Sequence, residues 1–497
     1  MRRRRFLCCG LRAAAAGTLV CSTAQSRRAC AHAGDATADG GETTAASGPL
    51  KPHPNNPRYF ADGRGRAVLL VGAHTWNNLV DMGRQDPPEP FDFGAYVRFL
   101  RRYGHNFIRL WTWDCTTWNT RANGRWGKDF VHNVAPHPWR RTGPGKALDG
   151  KPKFDLTQFD ETYFHRLRER VRTAGRLGIY VSVMLFEGWA LFHANTRRGV
   201  PAGWAWRSHP FHPANNINGI DAGTPGDPLR GRPHSLAHPQ VNAVQKRYIQ
   251  HVVDTVNEFD NVLYEVINEG GEKEWDWWVV RTVHEYERTK PKQHPVGLTG
   301  HGAERLPDML ASPCDWVSPG SRDGYRDHPP AWNETKVSLL DTDHVWGIGG
   351  HREWVWRSFL RGHNPLFMDP YDGSVLGKPF DRQWEPIRRA LGHVRRLSQQ
   401  VDLARMAPRD PLASSGYCLA APGEEYLVLA PEGKPVTVDL RAARGSLRVR
   451  WVDCASGRLA AASANVDGGT HRAFTPPKRS DMVLWLTKSG RDQRRRR

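Results

Sequence analysis

The chain has 497 residues, of which 39% are hydrophobic, and a formal net charge of +20. This length has room for one (β/α)8 barrel, which takes about 250 residues or more, together with a smaller module. No stretch reaches the ~20 consecutive apolar residues that a membrane-spanning helix needs, so the sequence predicts no membrane span.

Much of the positive charge lies at the two ends of the chain. Residues 1–33 contain seven arginines and no acidic residue, and residues 491–497 add a net charge of +4, which leaves +9 for residues 34–490. No basic segment is interleaved with aromatic residues in the manner of a nucleic-acid-binding module. The composition therefore predicts no nucleic-acid partner, and it leaves the oligomeric state open.

The N-terminus has the pattern of an export signal. Residues 3–7 (RRRFL) resemble the twin-arginine pattern, an apolar stretch follows, and residues 29–31 (ACA) provide a small-residue cleavage site. We therefore expect a periplasmic or secreted protein. The small and polar residues 34–50 predict a disordered linker, and the basic residues 489–497 predict a disordered tail.

Between residues 51 and 405, strand-like apolar runs alternate with helical periodicity. Strands are predicted at residues 67–71, 106–114, 179–187, 262–269, 295–299, 316–318, 336–340 and 365–368. Helices are predicted at residues 91–103, 155–176, 239–259, 274–289, 353–361 and 384–401. Such alternation is typical of a (β/α)8 barrel. No glycine-rich dinucleotide-binding or P-loop motif follows any of the strands, so no cofactor is predicted.

The pattern changes after Pro408. Short strands separated by glycine and proline turns predict an antiparallel β-sandwich over residues 408–488. Cys418 and Cys454 lie in this module and either form a disulfide or remain buried thiols. The cysteines and histidines do not have zinc-ligand spacing, so no metal site is predicted from them.

Two carboxylates end apolar runs of the predicted barrel. Glu269 follows the fourth strand and Asp341 the seventh, and the active sites of such barrels lie at the C-terminal ends of their strands. Hydrolysis of a glycosidic bond requires one carboxyl group that protonates the leaving oxygen and a second that stabilises or attacks the anomeric carbon. Asp343 would point to the same side of an extended strand as Asp341, so either can be the second carboxylate. The position of Asp341 directly after the apolar run favours Asp341.

Further polar residues at strand ends are candidates for substrate contacts. Asn268 precedes Glu269 and is placed to bind a sugar hydroxyl, whereas Arg109 either keeps the strand-seven carboxylate ionised or pairs with Asp114 or Glu187. Glu187 is itself expected to bind sugar or to pair with an arginine. His74 and His344 are expected either to bind sugar hydroxyls or to be structural.

The sequence contains 20 tryptophans. Apolar faces of sugars stack on aromatic rings, so tryptophans at strand ends and in long loops are candidates for substrate contacts. The strand-end candidates are Trp76, Trp111, Trp113, Trp189 and Trp346, and the loop candidates are Trp118, Trp126, Trp139, Trp204 and Trp206. Tryptophans on predicted helices are expected in the core, namely Trp277, Trp278, Trp354 and Trp356.

Three segments carry a resemblance to known families. Asn268-Glu269, with Arg109 on strand two, resembles the large clan of retaining glycoside hydrolases whose strand four ends in an Asn-Glu pair. Residues 58–76 (RYFADGRGRAVLLVGAHTW) look like the start of the apiosidase-like, DUF4038-type bacterial glycosidases. Residues 416–431 (GYCLAAPGEEYLVLAP) and 474–477 (FTPP) are similar to the so-called collagen-binding domain that is often fused to them.

The resemblance implies a glycosidase acting on a plant or microbial poly- or oligosaccharide, with Glu269 as acid/base. Two positions depart from the clan. Its strand-seven nucleophile is usually Glu, whereas this chain offers Asp341 and Asp343. The clan also has a tryptophan at the end of strand eight, where the nearest aromatic residue of this chain is Tyr371. Because Asp is one methylene shorter than Glu, the carboxylate separation, and with it retention or inversion, stays open.

Two other functions remain compatible with the sequence. The absence of a strand-seven Glu suggests a carbohydrate-binding barrel that has lost catalysis. The grouping of Asp341, Asp343, His344 and His74 suggests a metal-assisted hydrolase or lyase.

Overall fold

The protein is described by a computed structural model covering residues 45–119, 131–193, 203–300, 306–320, 325–376 and 382–489. The predicted export signal, residues 34–44 of the predicted linker, residues 490–497 of the predicted tail, and Trp126 lie outside these ranges.

Eight parallel strands close into a barrel in chain order, with the last strand pairing with the first. This confirms the predicted (β/α)8 fold. The strands are β1 (Gly72–His74), β2 (Phe107–Leu110), β3 (Tyr180–Glu187), β4 (Val262–Asn268), β5 (Val296–Thr299), β6 (Trp316–Ser318), β7 (Val337–Asp341) and β8 (Asn364–Met368). The strands are buried over nearly their whole length, as apolar parallel strands covered on both faces should be.

Helices follow most of the barrel strands and cover the outside of the barrel. They are α1 (Phe93–Arg102), α2 (Glu161–Arg176), α3 (Trp189–His193), α4 (Trp204–Arg207), α5 (Pro239–Val256), α6 (Lys273–Glu287), α7 (Leu306–Ala311), α8 (Thr342–Val345), α9 (Arg352–Leu360) and α10 (Glu385–Ser398). Within the ranges given above, none of the helices is long and apolar enough to cross a membrane.

The helix predicted from residue 155 begins later. Residues Pro152–Phe159 form a strand paired with Trp139–Lys146, and α2 starts at Glu161 after its N-cap residue Asp160. The Asp155 side chain accepts hydrogen bonds from the backbone N–H (2.9 Å) and hydroxyl (2.6 Å) of Thr157, a local arrangement that competes with a helical start. The prediction for residues 155–160 was therefore wrong.

The N-terminal end of the barrel is closed by an apolar cluster. Leu50, Phe60, Leu70 and Trp316 belong to it, together with residues that line the lower strands. Leu50 is only 1% exposed, and Ser47 accepts a hydrogen bond from the Tyr180 hydroxyl at 2.7 Å. Residues 45–50 are thus packed against the barrel and are not part of a disordered linker, because Leu50 fills the base of the barrel.

Long insertions lie above the C-terminal ends of β1, β2 and β3. One is a three-stranded sheet of Asp81–Gly83, Val131–Ala135 and Thr117–Asn119, and another is the hairpin of Trp139–Lys146 and Pro152–Phe159. A small hairpin of Gly223–Thr224 and Asp227–Gly231 follows.

The C-terminal part is antiparallel. A six-stranded sheet contains β9 (Ala407–Pro408), β10 (Cys418–Ala421), β11 (Glu425–Ala430), β13 (Ser446–Asp453), β14 (Leu459–Asp467) and β16 (Met482–Lys488), and β12 (Val436–Asp439) pairs with β15 (His471–Phe474). The six-stranded sheet packs on α9, where Trp356 donates a hydrogen bond to the Cys454 carbonyl at 3.1 Å. Cys418 and Cys454 are both buried free thiols, which decides between the two alternatives for this pair.

Candidate active site

The end of β4 presents Glu269 through an unusual backbone conformation. Glu269 directly follows the last residue of β4 and has a φ of 48°, in the left-handed region that costs a non-glycine residue about 1–3 kcal/mol. The Gly188 N–H donates to the Asn268 carbonyl at 2.9 Å, and a Cβ on Gly188 would lie 2.7 Å from the Glu269 carbonyl oxygen. The close contact between the ends of β3 and β4 therefore holds Glu269 in this conformation.

Arg109 connects the ends of β4 and β7. It is 2% exposed, and its Nε and Nη2 donate to the Glu265 carboxylate at 3.0 and 2.5 Å. Nη2 also donates to Asn268 Oδ1 at 2.7 Å, and Nη1 donates to Asp341 at 3.0 Å and to Asp343 at 3.3 Å. Burial by itself lowers the pKa of Arg109, but the Glu265 and Asp341 carboxylates outweigh it and raise this pKa. The guanidinium stays charged and fixes both strand ends.

Asp341 is the last residue of β7 and is fully buried. One oxygen accepts the backbone N–H of Asp343 at 2.9 Å and caps α8, while the other accepts from Arg109 Nη1 and lies 2.9 Å from His74 Nε2. Burial would raise the pKa of Asp341, but His74 and Arg109 outweigh it and hold this pKa below its usual range. Asp341 is therefore ionised and engaged through both oxygens.

Asp343 lies in the first turn of α8, so the extended-strand rule that placed it beside Asp341 does not apply. A carboxylate oxygen of Asp343, one of Glu269 and a ring nitrogen of His344 all lie within 4.8 Å of one another. Burial and the charge of Glu269 raise the pKa of Asp343 well above its usual value. Two buried carboxylates this close do not both ionise readily.

Asn268 and His344 complete this group. Asn268 Oδ1 accepts from Arg109 and from His344 Nε2, at 2.7 and 3.2 Å. Its Nδ2 is buried and has no hydrogen-bond partner among the described residues. Since His344 Nε2 donates to Asn268, His344 Nδ1 is left to accept from the Ser318 hydroxyl at 3.1 Å. The Asn268 amide is thus fixed through its oxygen, and its buried nitrogen is left without a partner among the described residues.

His74 and the tryptophans of β1 and β2 lie behind the carboxylates. His74 stacks on Trp111 with ring centroids 5.2 Å apart, and Trp76 packs against Trp111 and Trp113 at 5.6 and 5.4 Å. His74, Trp76, Trp111 and Trp113 are each at most 2% exposed. Their rings pack on one another, so they support the site from behind instead of forming the stacking surface that the sequence suggested.

Trp189 and Trp346 are placed differently. Trp189 is 9% exposed and packs edge-on to Trp118, and Trp346 is partly exposed beside α8. These two rings are the strand-end tryptophans that retain some accessible surface. Among the loop candidates, Trp118, Trp139 and Trp206 are buried and Trp204 is partly buried.

Two expected substrate contacts are not at an open surface. Glu187 is fully buried and accepts from the Ala190 N–H at 3.3 Å at the start of α3, and burial, with Asp114 as the next cause, raises its pKa well above the usual value. Tyr371 is 8% exposed and packs edge-on against Tyr96 and Phe99 with centroids 5.0 Å apart. Both side chains belong to the supporting structure because neighbouring elements cover them.

Sequence reasoning missed Glu265 and misplaced the partners of Arg109. Arg109 pairs with Glu265, and Asp114 instead lies 2.9 Å from His234 Nε2. A signal for Glu265 was present, since it is the one charged residue inside the apolar run of β4. A buried carboxylate in such a strand needs a cation, and Arg109 on β2 was the available one.

One family model matches a segment of the chain. Residues 124–303 match a family model described as Domain of unknown function (DUF6298), which spans less than half of the chain. The DUF4038-type and collagen-binding models suggested by the sequence motifs are not matched. No curated protein matches the chain significantly.

Two solved structures have the same fold. One, described as a glycoside hydrolase, is 12% identical, and the alignment covers 91% of this chain and all (100%) of that one, with a TM-score of 0.57. A glycoside hydrolase family 5 protein from Bacteroides vulgatus ATCC 8482 is 11% identical, with 89% and 94% of the two chains covered and a TM-score of 0.55. At these identities the similarity establishes the fold of the chain, a barrel of the glycoside hydrolase type.

Proposed function

We propose that the protein is a glycoside hydrolase whose two working carboxylates are Glu269 and Asp343. The observation that carries this proposal is their approach within 4.8 Å at the C-terminal end of the barrel, close enough for the two carboxylates to share one proton. The Asn268 Nδ2 donor beside them is suited to a sugar hydroxyl. The fold shared with glycoside hydrolases supports the same reading.

The spacing favours retention of configuration. Retaining enzymes hold their carboxyl groups about 5–5.5 Å apart, whereas inverting enzymes leave ~6.5–9.5 Å for a water molecule. One oxygen of Glu269 lies within 4.8 Å of one oxygen of Asp343, a closest approach that is nearer to the retaining arrangement. The second carboxylate then acts as a nucleophile and forms a covalent glycosyl-enzyme.

The reaction follows from the charges at the two strand ends. The proposed reaction places the proton of the pair on Glu269 and requires an ionised Asp343; Arg109 Nη1, which donates to Asp343, supports this arrangement against the burial and the Glu269 charge that raise the pKa of Asp343. Glu269 gives this proton to the leaving glycosidic oxygen while an Asp343 oxygen bonds to the anomeric carbon and the glycosidic bond breaks. Water then gives a proton to Glu269 and displaces the sugar from Asp343, which restores both carboxylates and completes hydrolysis.

The natural substrate and location are inferred from the sequence alone. A plant or microbial poly- or oligosaccharide is proposed from the resemblance to the apiosidase-like, DUF4038-type glycosidases and to the collagen-binding module that accompanies them. Export to the periplasm or beyond, through the twin-arginine route, is proposed from residues 1–33. The collagen-binding name of the module is not taken to describe its ligand.

A metal-assisted reaction is the second candidate, because Glu269, Asp343 and His344 form a compact group of metal-ligand types. The hydrogen bonds of His344 argue against metal binding. Nε2 donates to Asn268 and Nδ1 accepts from Ser318, so neither ring nitrogen has a lone pair directed to an ion. The two-carboxylate reaction needs no such lone pair.

The proposal is tested with Glu269→Gln on aryl glycosides and on plant and microbial oligosaccharides. Loss of the general acid should lower kcat/KM by about 10²–10⁴-fold for substrates with poor leaving groups and far less for activated aryl glycosides. Glu274→Gln, an exposed change on α6, is the matched control and should leave the rate unchanged. The proposal fails when the wild-type protein cleaves none of these glycosides, or when Glu269→Gln cleaves unactivated substrates at the wild-type rate.

A further inference from the structure

The end of β7 carries two aspartates with opposite environments. Asp341 uses one oxygen for the Asp343 N–H and the other for Arg109 and His74, and it has no exposed surface. A nucleophile needs an oxygen that can approach the anomeric carbon. Both oxygens of Asp341 are already engaged by buried partners, and Asp343 lies next to Glu269.

We propose that Asp341 is a positioning residue that fixes Asp343 and Arg109 for the reaction, and that the nucleophile has moved from the strand end to the first turn of α8. This inference rests on the proposed glycosidase function and assigns the roles within its strand-seven group. Two contacts carry it: the cap from Asp341 Oδ1 to the Asp343 N–H, and the ion pair from Asp341 Oδ2 to Arg109 Nη1.

The cap orients Asp343 through its backbone. By accepting the N–H of Asp343, Asp341 sets the start of α8 and thereby the direction in which the Asp343 side chain leaves the helix. An asparagine at position 341 retains an oxygen for this cap, whereas an alanine does not. The two substitutions therefore separate the cap from the charge.

The ion pair between Asp341 and Arg109 influences the pKa of Asp343. Arg109 Nη1 is shared between Asp341 at 3.0 Å and Asp343 at 3.3 Å, and the charge of Asp341 is one of the causes that raise the pKa of Asp343. When Asp341 is made neutral, Arg109 is released to Asp343 and the repulsion is lost, so the pKa of Asp343 falls. Because the nucleophile must be ionised, the acid limb of kcat/KM should move to lower pH.

The first experiment compares activity. Asp343→Ala should lose activity by about 10³-fold or more and recover with azide, which replaces the missing nucleophile and yields a glycosyl azide. Asp341→Asn should keep measurable turnover with its acid limb at lower pH, and Asp341→Ala should not recover with azide. Recovery of Asp341→Ala by azide, together with near-normal turnover of Asp343→Asn, would overturn the inference.

A second measurement needs no substrate. Asp341 is stabilised by its partners in the folded protein, so Asp341→Asn should lower Tm at pH 7, and the loss should shrink as the pH falls below the ordinary pKa of aspartate. Burial and the charge of Glu269 raise the pKa of Asp343, so the folded protein disfavours its ionised form. Asp343→Asn should therefore leave Tm unchanged or higher. A lower Tm for Asp343→Asn than for Asp341→Asn would overturn the inference, whether or not the protein cleaves a glycoside. The expected order of Tm values in a protein that cleaves no glycoside would reject only the proposed function.

Discussion

The ends of β4 and β7 each place a carboxylate at the site, but they do so in different ways. At β4, Glu269 comes directly after the strand, and a left-handed backbone turns its carboxylate into the site. At β7, Asp341 ends the strand and is enclosed by Arg109 and His74, and the carboxylate that lies beside Glu269 comes two residues later, at Asp343. A strand end therefore does not by itself identify the reacting group, because the neighbours decide which oxygen stays available.

The two ends also differ in what holds them. Glu269 depends on steric contact with Gly188, whereas Asp343 depends on hydrogen bonds and charge through Asp341 and Arg109. Steric support is lost when a side chain is added, and electrostatic support is lost when a charge is removed. Substitutions at Arg109 and Gly188 therefore test the two kinds of support separately.

Removal of the shared cation should have the largest effect. Arg109→Met leaves the buried Glu265 carboxylate without its cation and removes one partner each from Asp341 and Asp343, and uncompensated buried charge costs about 3–5 kcal/mol of unfolding free energy. Urea unfolding of this variant and of Arg66→Met measures the loss, since Arg66 also pairs with an aspartate, Asp62, but its own side chain is 65% exposed. The surface variant should lose about 1 kcal/mol or less.

Arg109→Lys tests the same contacts if Arg109→Met does not fold. The lysine keeps one charge, but it cannot reproduce the paired bonds to Glu265 together with those to Asn268 and Asp341. We expect a folded protein with kcat reduced by about 10²-fold or more, because a small misplacement of reacting groups is costly. Wild-type kcat in Arg109→Lys would show that Arg109 does not connect the two strand ends functionally.

A methyl group on Gly188 should disturb the β4 end alone. In Gly188→Ala the new Cβ would meet the Glu269 carbonyl and the Gly270 Cα at 2.7 and 2.8 Å, both backbone atoms that cannot rotate away. We expect kcat to fall by about 10–100-fold with a loss of ~1–3 kcal/mol of stability from overpacking. The matched control is Gly83→Ala, where the nearest atom to a new Cβ lies at 3.6 Å.

The activity of Gly188→Ala also separates the two strand ends. Because Gly188 does not support Asp343, this variant should keep the wild-type acid limb of kcat/KM while kcat falls. A shifted acid limb in Gly188→Ala would mean that the β3–β4 contact also sets the environment of the strand-seven carboxylate. An unchanged kcat would mean that Glu269 does not need its left-handed conformation.

The barrel could be predicted because its longest strands are long apolar runs that end in polar residues. Glu269 was accessible to the same reasoning, since it directly follows such a run. Asp343 was not favoured, because the helix that starts at Thr342 has too few residues to leave a periodic pattern. Whether Trp111 and Trp113 face a substrate or each other depends on how distant loops pack, and spacing along the chain does not contain this information.

Removing metal ions should have the smallest effect. This experiment tests whether Glu269 and Asp343, at the two strand ends, share a proton or bind a cation. Arg109 donates to Asn268 Oδ1, which identifies that atom as the amide oxygen, so His344 Nε2 must carry a hydrogen to bond with it. A protonated ring nitrogen cannot bind a metal. After dialysis against EDTA, kcat and Tm should be unchanged, and adding Zn²⁺ or Mn²⁺ should not raise either. Loss of activity with EDTA and its return with one of these ions would show instead that Glu269, Asp343 and His344 bind a cation, and the proton shared between the two strand ends would no longer account for the site.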